Sequence, residues 1–206
     1  MPSAARVLQR LNPVDQKIIK DIVALLEDAG RQTQEFSKTT GLHCKAGCGH
    51  CCENPEVETT VTEVMPLAIE LWAKGEADQI LAAIERSQSK GVCVFYKPDP
   101  VIAGNGRCSV YARRPGICRL FGFSAKTDKH GKARLLTCKI IKERNPGECA
   151  RAQKTMDQGA SGPLISDFTH KVFGIDPGRG KDLLPINEAV RIAIERTGFA
   201  CEEPGP

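Results

Sequence analysis

Aromatic residues are scarce in this chain: they make up 5% of 206 residues, with one tryptophan and two tyrosines. A surface that binds single-stranded nucleic acid by stacking needs such rings, so their scarcity argues against one. Long apolar runs are missing too. The longest, Val64 to Ile69, has six residues, whereas a membrane-spanning helix needs roughly 20. The N-terminus carries Arg6, Arg10, Asp15, Lys17 and Lys20 with no apolar core between them. No secretory signal is legible there, and a cytoplasmic setting is expected. There is no phosphate loop or dinucleotide fingerprint, because Gly104-Asn105-Gly106 is too short and lacks the flanking strand and helix. Aspartates and glutamates show no pairing that suggests acid–base catalysis, and no internal repeat is found. Apolar residues at 41% and charged residues at 26% exclude wholesale disorder, and the length suits one domain with at most a small appendage.

Cysteine is what the chain has in excess. There are ten, eight of them between Cys44 and Cys138. The first cluster reads Cys44-Lys45-Ala46-Gly47-Cys48-Gly49-His50-Cys51-Cys52. A Cys-x2-Cys pair such as Cys48 and Cys51 presents two sulfurs from one tight turn to the same metal. Gly47 and Gly49 are expected at positive φ, turning backbone N–H groups towards those sulfurs. Cys52 poses a problem, since adjacent side chains in an extended segment point to opposite sides. It serves a second centre, or the backbone turns locally to bring it round. Cys93, Cys108 and Cys118 form a second group, with Cys138 beyond. A single four-cysteine site needs ligands from both groups, which ties residues 41–55 to the loops after residue 91.

Disulfides require an oxidising compartment, for which no export signal is seen. Buried structural thiols are an unsatisfying account of so many cysteines set among glycines. Metal or iron–sulfur ligation satisfies spacing, compartment and charge together. The charge lies in one stretch: residues 107–151 hold 12 Lys/Arg against 3 Asp/Glu, while both flanks are net negative. Nearby cations lower thiol pKa values and offset a thiolate-rich site. A solvated face or a nucleic-acid patch are the other readings of that stretch, the last not favoured by the scarce aromatics. Arg114 and Arg119 bracket Cys118 and donate to sulfur or carbonyl groups, or are solvated. His43 and His50 flank the first cluster and are read as loop histidines rather than ligands; Cys149 and Cys201 belong to no motif.

Four motifs occur in order: Cys44-x3-Cys48-x2-Cys51-Cys52; Cys93-Val94-Phe95; Gly106-Arg107-Cys108-Ser109-Val110-Tyr111; and Arg114-Pro115-Gly116-Ile117-Cys118-Arg119. Over residues 41–123 this order resembles the YkgJ-type cysteine-cluster family, a zinc- or iron-chelating domain written CxxCxxCC. One departure is visible: three residues rather than two separate Cys44 from Cys48. The resemblance implies metal binding, with Cys48, Cys51, Cys52, Cys93, Cys108 and Cys118 as the leading ligands, followed by Cys44 and Cys138. The same cysteine domain is similar to part of flagellin lysine N-methylases, which implies an iron–sulfur-dependent enzyme or redox component as an alternative. A metal-stapled module for RNA or an acidic partner is a third reading, resting on the 107–151 charge. Zinc and iron both remain open. The ferredoxin run C-x2-C-x2-C-x3-C is absent, and the adjacent Cys51-Cys52 with scattered single cysteines suits a polynuclear iron–sulfur centre slightly better than zinc ribbons.

The expected fold is mainly helical α+β, with a loop-built cysteine site and a short β-hairpin packed on amphipathic helices. Asn12, Pro13 and Asp15 make a helix start. Val14, Ile18, Ile19, Ile22, Leu26 and Ala29 then recur at helical spacing. Helices are predicted over 12–36, 60–74, 76–89 and 185–197, the second opened by the capping box Thr60/Glu63 and the last stopped by Gly198. Further expectations are a strand at 92–96, a hairpin pairing 121–125 with 133–136, helix over 148–157, and a short helix near Phe168 and Val172. Aromatic residues Phe95, Tyr96, Tyr111, Phe121 and Phe123 should fill core around the site. The chain divides on this reading into an N-terminal helical segment (1–40), a cysteine-cluster domain (41–140) and a C-terminal helical segment (141–206) packed on it, with a loose tail from Glu202.

Overall fold

Ser3 opens the first helix by accepting the Arg6 N–H with its hydroxyl, which starts α1 (Ala4–Arg10) in a segment where no separate helix was foreseen. The structure, a computed structural model, describes residues 2–87, 91–103, 105–159 and 162–202, with side chains through 200. Asn12 caps α2 (Pro13–Thr40) by accepting the Asp15 N–H at 2.9 Å, with proline at the first helical position. This helix runs one turn past the expected end, and Gly30 does not interrupt it. It stops at Gly41, in the left-handed region, whose N–H returns to the Ser37 carbonyl.

A single helical turn, α3 (His50–Glu53), follows within the first cysteine cluster, then β1 (Glu58–Thr59). The capping box at Thr60 and Glu63 is formed and starts α4 (Val61–Lys74), which ends at left-handed Gly75. Pro66 is accommodated near the first turn, and the front of α4 is buried on every side. Next comes α5 (Ala77–Arg86); the last residues of the predicted 76–89 helix lie outside the described ones.

The strand expected at 92–96 is not there. Residues 93–95 turn instead, and the strand pair is β2 (Tyr96–Pro98) with β3 (Gly106–Cys108). The run Val92 to Tyr96 reads as a short strand in the sequence, but the Tyr96 N–H bonds back to the Cys93 carbonyl and closes a turn. A 3-10 turn spans Tyr111–Arg113, and α6 (Gly116–Leu120), which starts after Pro115, is only five residues long. The hairpin forms as β4 (Ser124–Thr127) with β5 (Ala133–Leu136), its first strand starting later than predicted, and Asp128 accepts N–H groups from the tip.

Three helices follow: α7 (Lys139–Arg144), α8 (Pro146–Asp157) and α9 (Ile165–Ile175). Strand β6 (Leu184–Pro185) pairs antiparallel with β1 before α10 (Ile186–Glu202). Gly198 does not stop α10, contrary to expectation. A Cβ there would lie 2.6 Å from Trp72, so this glycine lets the indole sit against the helix, donating its N–H to the Ile194 carbonyl. The tail from residue 203 lies outside the described residues.

The architecture is mainly helical α+β, with ten α-helices and three two-stranded antiparallel sheets among the described residues. The largest core joins α1, α4, α5 and α10 through Val7, Val64, Leu67, Ile84, Val190 and Ile194, and it includes Cys93 and Phe95. The α2 stripe packs on α6 and α9 through Ile22, Leu26, Ala29, Leu120, Phe168 and Val172. Val14, counted in that stripe from the sequence, is exposed. A third core lies between the end of α2, the hairpin, α7 and α8. Among the described residues no helix is long and apolar enough to cross a membrane.

Candidate metal centre

Between these cores the irregular segments meet around a cavity of about 690 Å3. Cys44, Cys48, Cys51, Cys52, Cys93, Cys108, Cys118 and Cys138 all line it. The nine cysteines whose side chains are described are free, with no disulfide among them.

Backbone hydrogen bonds join the two cysteine groups. The Cys93 N–H donates to the Cys52 carbonyl at 2.9 Å, and the Gly106 N–H to the Gly47 carbonyl at 2.7 Å. Gly47 sits at φ +71°, as expected. Gly49 does not: its φ is −106°, and it is needed because a side chain would overlap the Tyr96 ring. The same ring covers Gly106. Tyr96 is fixed there by donating to Glu53 at 3.1 Å, with the Asn105 carbonyl 3.2 Å away. Because α3 is a helical turn, Cys51 and Cys52 are about 100° apart rather than opposed, and both reach the cavity.

Cys93 is held by a residue far away in sequence. Buried Asn187 on α10 accepts the Val94 N–H at 2.9 Å and donates to the Val92 carbonyl at 3.2 Å. Cys118 rides on α6, whose first N–H (Gly116) bonds the carboxylate of Glu63 at 2.7 Å. Cys138 caps α7, its sulfur accepting the Ile141 N–H at 3.3 Å. The first turn of α4 reported Glu63 in the sequence only as a capping residue, and nothing local marked Asn187.

The arginines beside Cys118 bond to carbonyl oxygens. Arg114 donates to the Cys118 and Tyr111 carbonyls and stacks on the Tyr111 ring, 3.5 Å from its centroid. Arg119 donates to the carbonyls of Arg114 and Ala112. Arg114 also offsets thiolate charge at Cys51 and Cys108, whereas the hairpin lysines Lys126, Lys129 and Lys132 are exposed. Basic residues of 107–151 therefore do different things at different places.

The thiols share protons unevenly. A hydrogen bond from Cys52 lowers Cys51 to about 6 against the opposing effect of burial, with Arg114 assisting. The same Cys52 thiol lowers Cys108 to about 7. Cys52 is pushed up by those two hydrogen bonds and then by burial. Burial foremost raises Cys44 to about 12 and Cys93 to about 11, and raises Cys118 as well.

Of the aromatics, Phe95 is buried and lines the cavity with Phe123, while Tyr111 and Phe121 are exposed at its wall and do not fill core. His43 is exposed, with Nδ1 3.0 Å from the Gly41 carbonyl oxygen. His50 lines the cavity and pairs with Glu53. Cys149 packs in the third core instead, and the Cys201 side chain lies outside the described residues.

The sequence model of a family described as "CxxCxxCC: Putative zinc- or iron-chelating domain" matches residues 43–159, more than half of the chain. The chain belongs to the CxxCxxCC family. No curated protein and no solved structure matches it. The match encloses all eight cysteines of the cavity and supports metal binding of the zinc or iron class. The donor chemistry of this CxxCxxCC member agrees: soft sulfur ligands select zinc or iron–sulfur centres, and two of the thiols are biased towards the thiolate that binds metal. Among the described residues no three His, Cys, Asp or Glu side chains already stand as a metal-holding group. The sulfurs share a cavity, and ligation would draw them together as protons leave.

Proposed function

We propose that this protein is a cysteine-ligated metal-binding domain, with Cys48, Cys51, Cys52, Cys93, Cys108 and Cys118 as leading ligands and Cys44 and Cys138 joining them. The observation that carries this is that all eight cysteines, none of them in a disulfide, line one cavity. The metal is iron in an iron–sulfur cluster in preference to zinc. The adjacent Cys51 and Cys52 with the scattered single cysteines Cys93, Cys108 and Cys118 suit a polynuclear cluster, held by four thiolates or by three with an open position, better than the paired knuckles of a closed zinc site. When bound, such a centre supplies electron transfer or an open iron for a substrate.

In this reading Asn187 and Glu63 position Cys93 and Cys118, Tyr96 holds the two glycine turns together, and Arg114 offsets thiolate charge. Residues 41–140 form the metal-binding unit, and the helical segments 1–40 and 141–206 frame it. The free thiols are consistent with a reducing, cytoplasmic compartment.

Anaerobic purification with elemental analysis tests the proposal. Brown protein carrying iron and acid-labile sulfide is expected. Colourless protein carrying only zinc would keep metal binding and remove the cluster, and protein without bound metal would remove the proposal.

A further inference from the structure

Much of the basic charge is carried by a part of the fold that packs beside the metal cavity. The hairpin β4–β5, α7 and α8 share the third core. Residues 124–157 hold nine Lys/Arg against four Asp/Glu, more net positive charge than the +4 of the whole chain. Three of the four acids are already engaged within this unit. Asp128 accepts the N–H groups of His130 and Lys132 at the hairpin tip and pairs with Arg134 at 2.9 Å. Asp157 faces the same Arg134 at 3.8 Å, and Glu143 faces Lys139 at 3.7 Å. Lys126, Lys129, Lys132, Lys142, Arg144 and Lys154 are exposed and enter none of these pairs.

The packing spaces these cations along a line. Gln153 of α8 accepts the Leu135 N–H at 2.9 Å and donates to the Ala133 carbonyl at 3.1 Å, which fixes α8 against β5. The start of α8 shares Asn145 with the end of α7, and its end reaches the hairpin tip through Asp157, Arg134 and Asp128. Cations therefore stand at both ends of α8, Lys142 and Arg144 at one and Lys129 and Lys132 at the other. Lys154 lies in the helix between them and is exposed, while Ala152 and Met156 face the core. The twelve residues of α8 span about 18 Å, a length over which a duplex presents roughly ten phosphates.

We infer that the hairpin, α7 and α8 form a docking surface for the phosphate backbone of double-stranded nucleic acid, held by charge and blind to base sequence. The make-up of the surface selects this occupant. Among the described residues, none of the exposed large apolar side chains falls within 124–157. An acidic protein partner would call for an apolar or aromatic anchor at the centre of the contact. A single strand would call for rings on which bases stack, and stable membrane anchoring would call for an apolar second signal. A duplex backbone needs only cations at intervals, because phosphate contacts position a protein without reading bases. The scarcity of aromatics, which counts against single strands, leaves this mode untouched.

The test is fluorescence anisotropy of the full chain, as purified anaerobically, with labelled duplexes of RNA and of DNA between about 50 and 200 mM salt. Both duplexes should bind, with log affinity falling against log salt at a slope of about −4 to −5, the value for some five neutralised phosphates. Tighter binding of either duplex supports the inference and identifies the nucleic acid. K129Q/K132Q at the hairpin tip and K142Q/R144Q at the end of α7 should each weaken binding severalfold and flatten the slope by about two. K17Q/K20Q on α2 removes the same charge elsewhere and should change neither. None of the four residues at the hairpin tip and the end of α7 lines the cavity, so bound metal should stay at the level of the unaltered chain, which also shows that the variants are folded. The inference is overturned if neither duplex binds, or if K17Q/K20Q weakens binding as much as the other pairs. Stronger binding to a single strand, to polyglutamate or to phosphatidylglycerol vesicles than to either duplex also overturns it. Each of these results is read separately from metal content, on which the reading of the cysteines stands.

Discussion

Glu63 accepts the backbone N–H of Gly116 at 2.7 Å, and this one bond links the start of α4 to the short helix that carries Cys118. Its other oxygen accepts the Thr60 N–H and hydroxyl. Gly116 is required for the approach, because a Cβ there would overlap the Phe168 ring and lie 2.8 Å from Glu63 Oε2. Replacing Glu63 by Gln turns an acceptor into an amide, which cannot accept from both helix starts. E63Q should cost about 1–3 kcal/mol in urea unfolding and speed metal loss to a chelator. An unchanged unfolding midpoint would show that the buried carboxylate contributes nothing.

Tyr96 clamps the glycine turns from one side. G49A and G106A each drive a methyl group into its ring. Each is expected to lower bound metal and to cost about 1–3 kcal/mol by overpacking. The control is Y96F, which keeps the ring and removes only the bonds to Glu53 and Asn105. Full metal content in both alanine variants would refute the clamp.

Arg114 combines charge with a fork and a flat face. In R114K the charge stays, while the stack on Tyr111 and the paired bonds to the Tyr111 and Cys118 carbonyls go. Metal affinity should fall about 10–100-fold, the usual loss for an outer-shell partner. A competition titration with a chelator measures it.

Thiol reactivity should follow the proton sharing. In metal-free protein Cys51, lowered to about 6, is largely ionised at neutral pH and Cys108, lowered to about 7, is about half ionised, whereas Cys44 and Cys93 stay protonated. Iodoacetamide near neutral pH should therefore modify Cys51 and Cys108 first, read by peptide mass spectrometry. Metal loading should suppress both. First labelling at Cys93 would contradict the assignment.

Asp176 gives the fold a pH signature away from the metal. Burial raises its pKa, but hydrogen bonds from Thr62 at 2.6 Å and from Arg179 outweigh that and hold it below the ordinary 3.8. A depressed folded pKa means that the native state binds fewer protons than the unfolded chain. The stabilisation is present above pH 3.8 and is lost as the pH falls through the folded value. D176N removes one partner of a buried pair that also reaches Asp15 through Arg179. It should cost about 3 kcal/mol at neutral pH, and the gap to the unaltered protein should narrow in acid. A constant gap across pH would assign the loss to packing alone.

Much of the helix framework was legible because its signals are local. Asn12-Pro13 and the Thr60/Glu63 box each satisfy N–H groups within one turn, so a few residues suffice to read them. The missed features have partners far along the chain. Gly198 looked like a stop until Trp72 was packed against it, and 92–96 looked like a strand until Cys93 turned under Asn187. The reading of Tyr111 as core failed because its ring serves Arg114 from the outside.

From residue order alone came the mainly helical α+β class, the short hairpin and the eight cysteines, because periodicity, caps and Cys-x2-Cys spacing act over a few bonds. Folding decided that those eight line one cavity, that Cys52 shares its proton with Cys51 and Cys108, and that Asn187 and Glu63 hold the loops. Such facts arise from through-space distance and burial, which depend on how helices pack and not on separation along the chain.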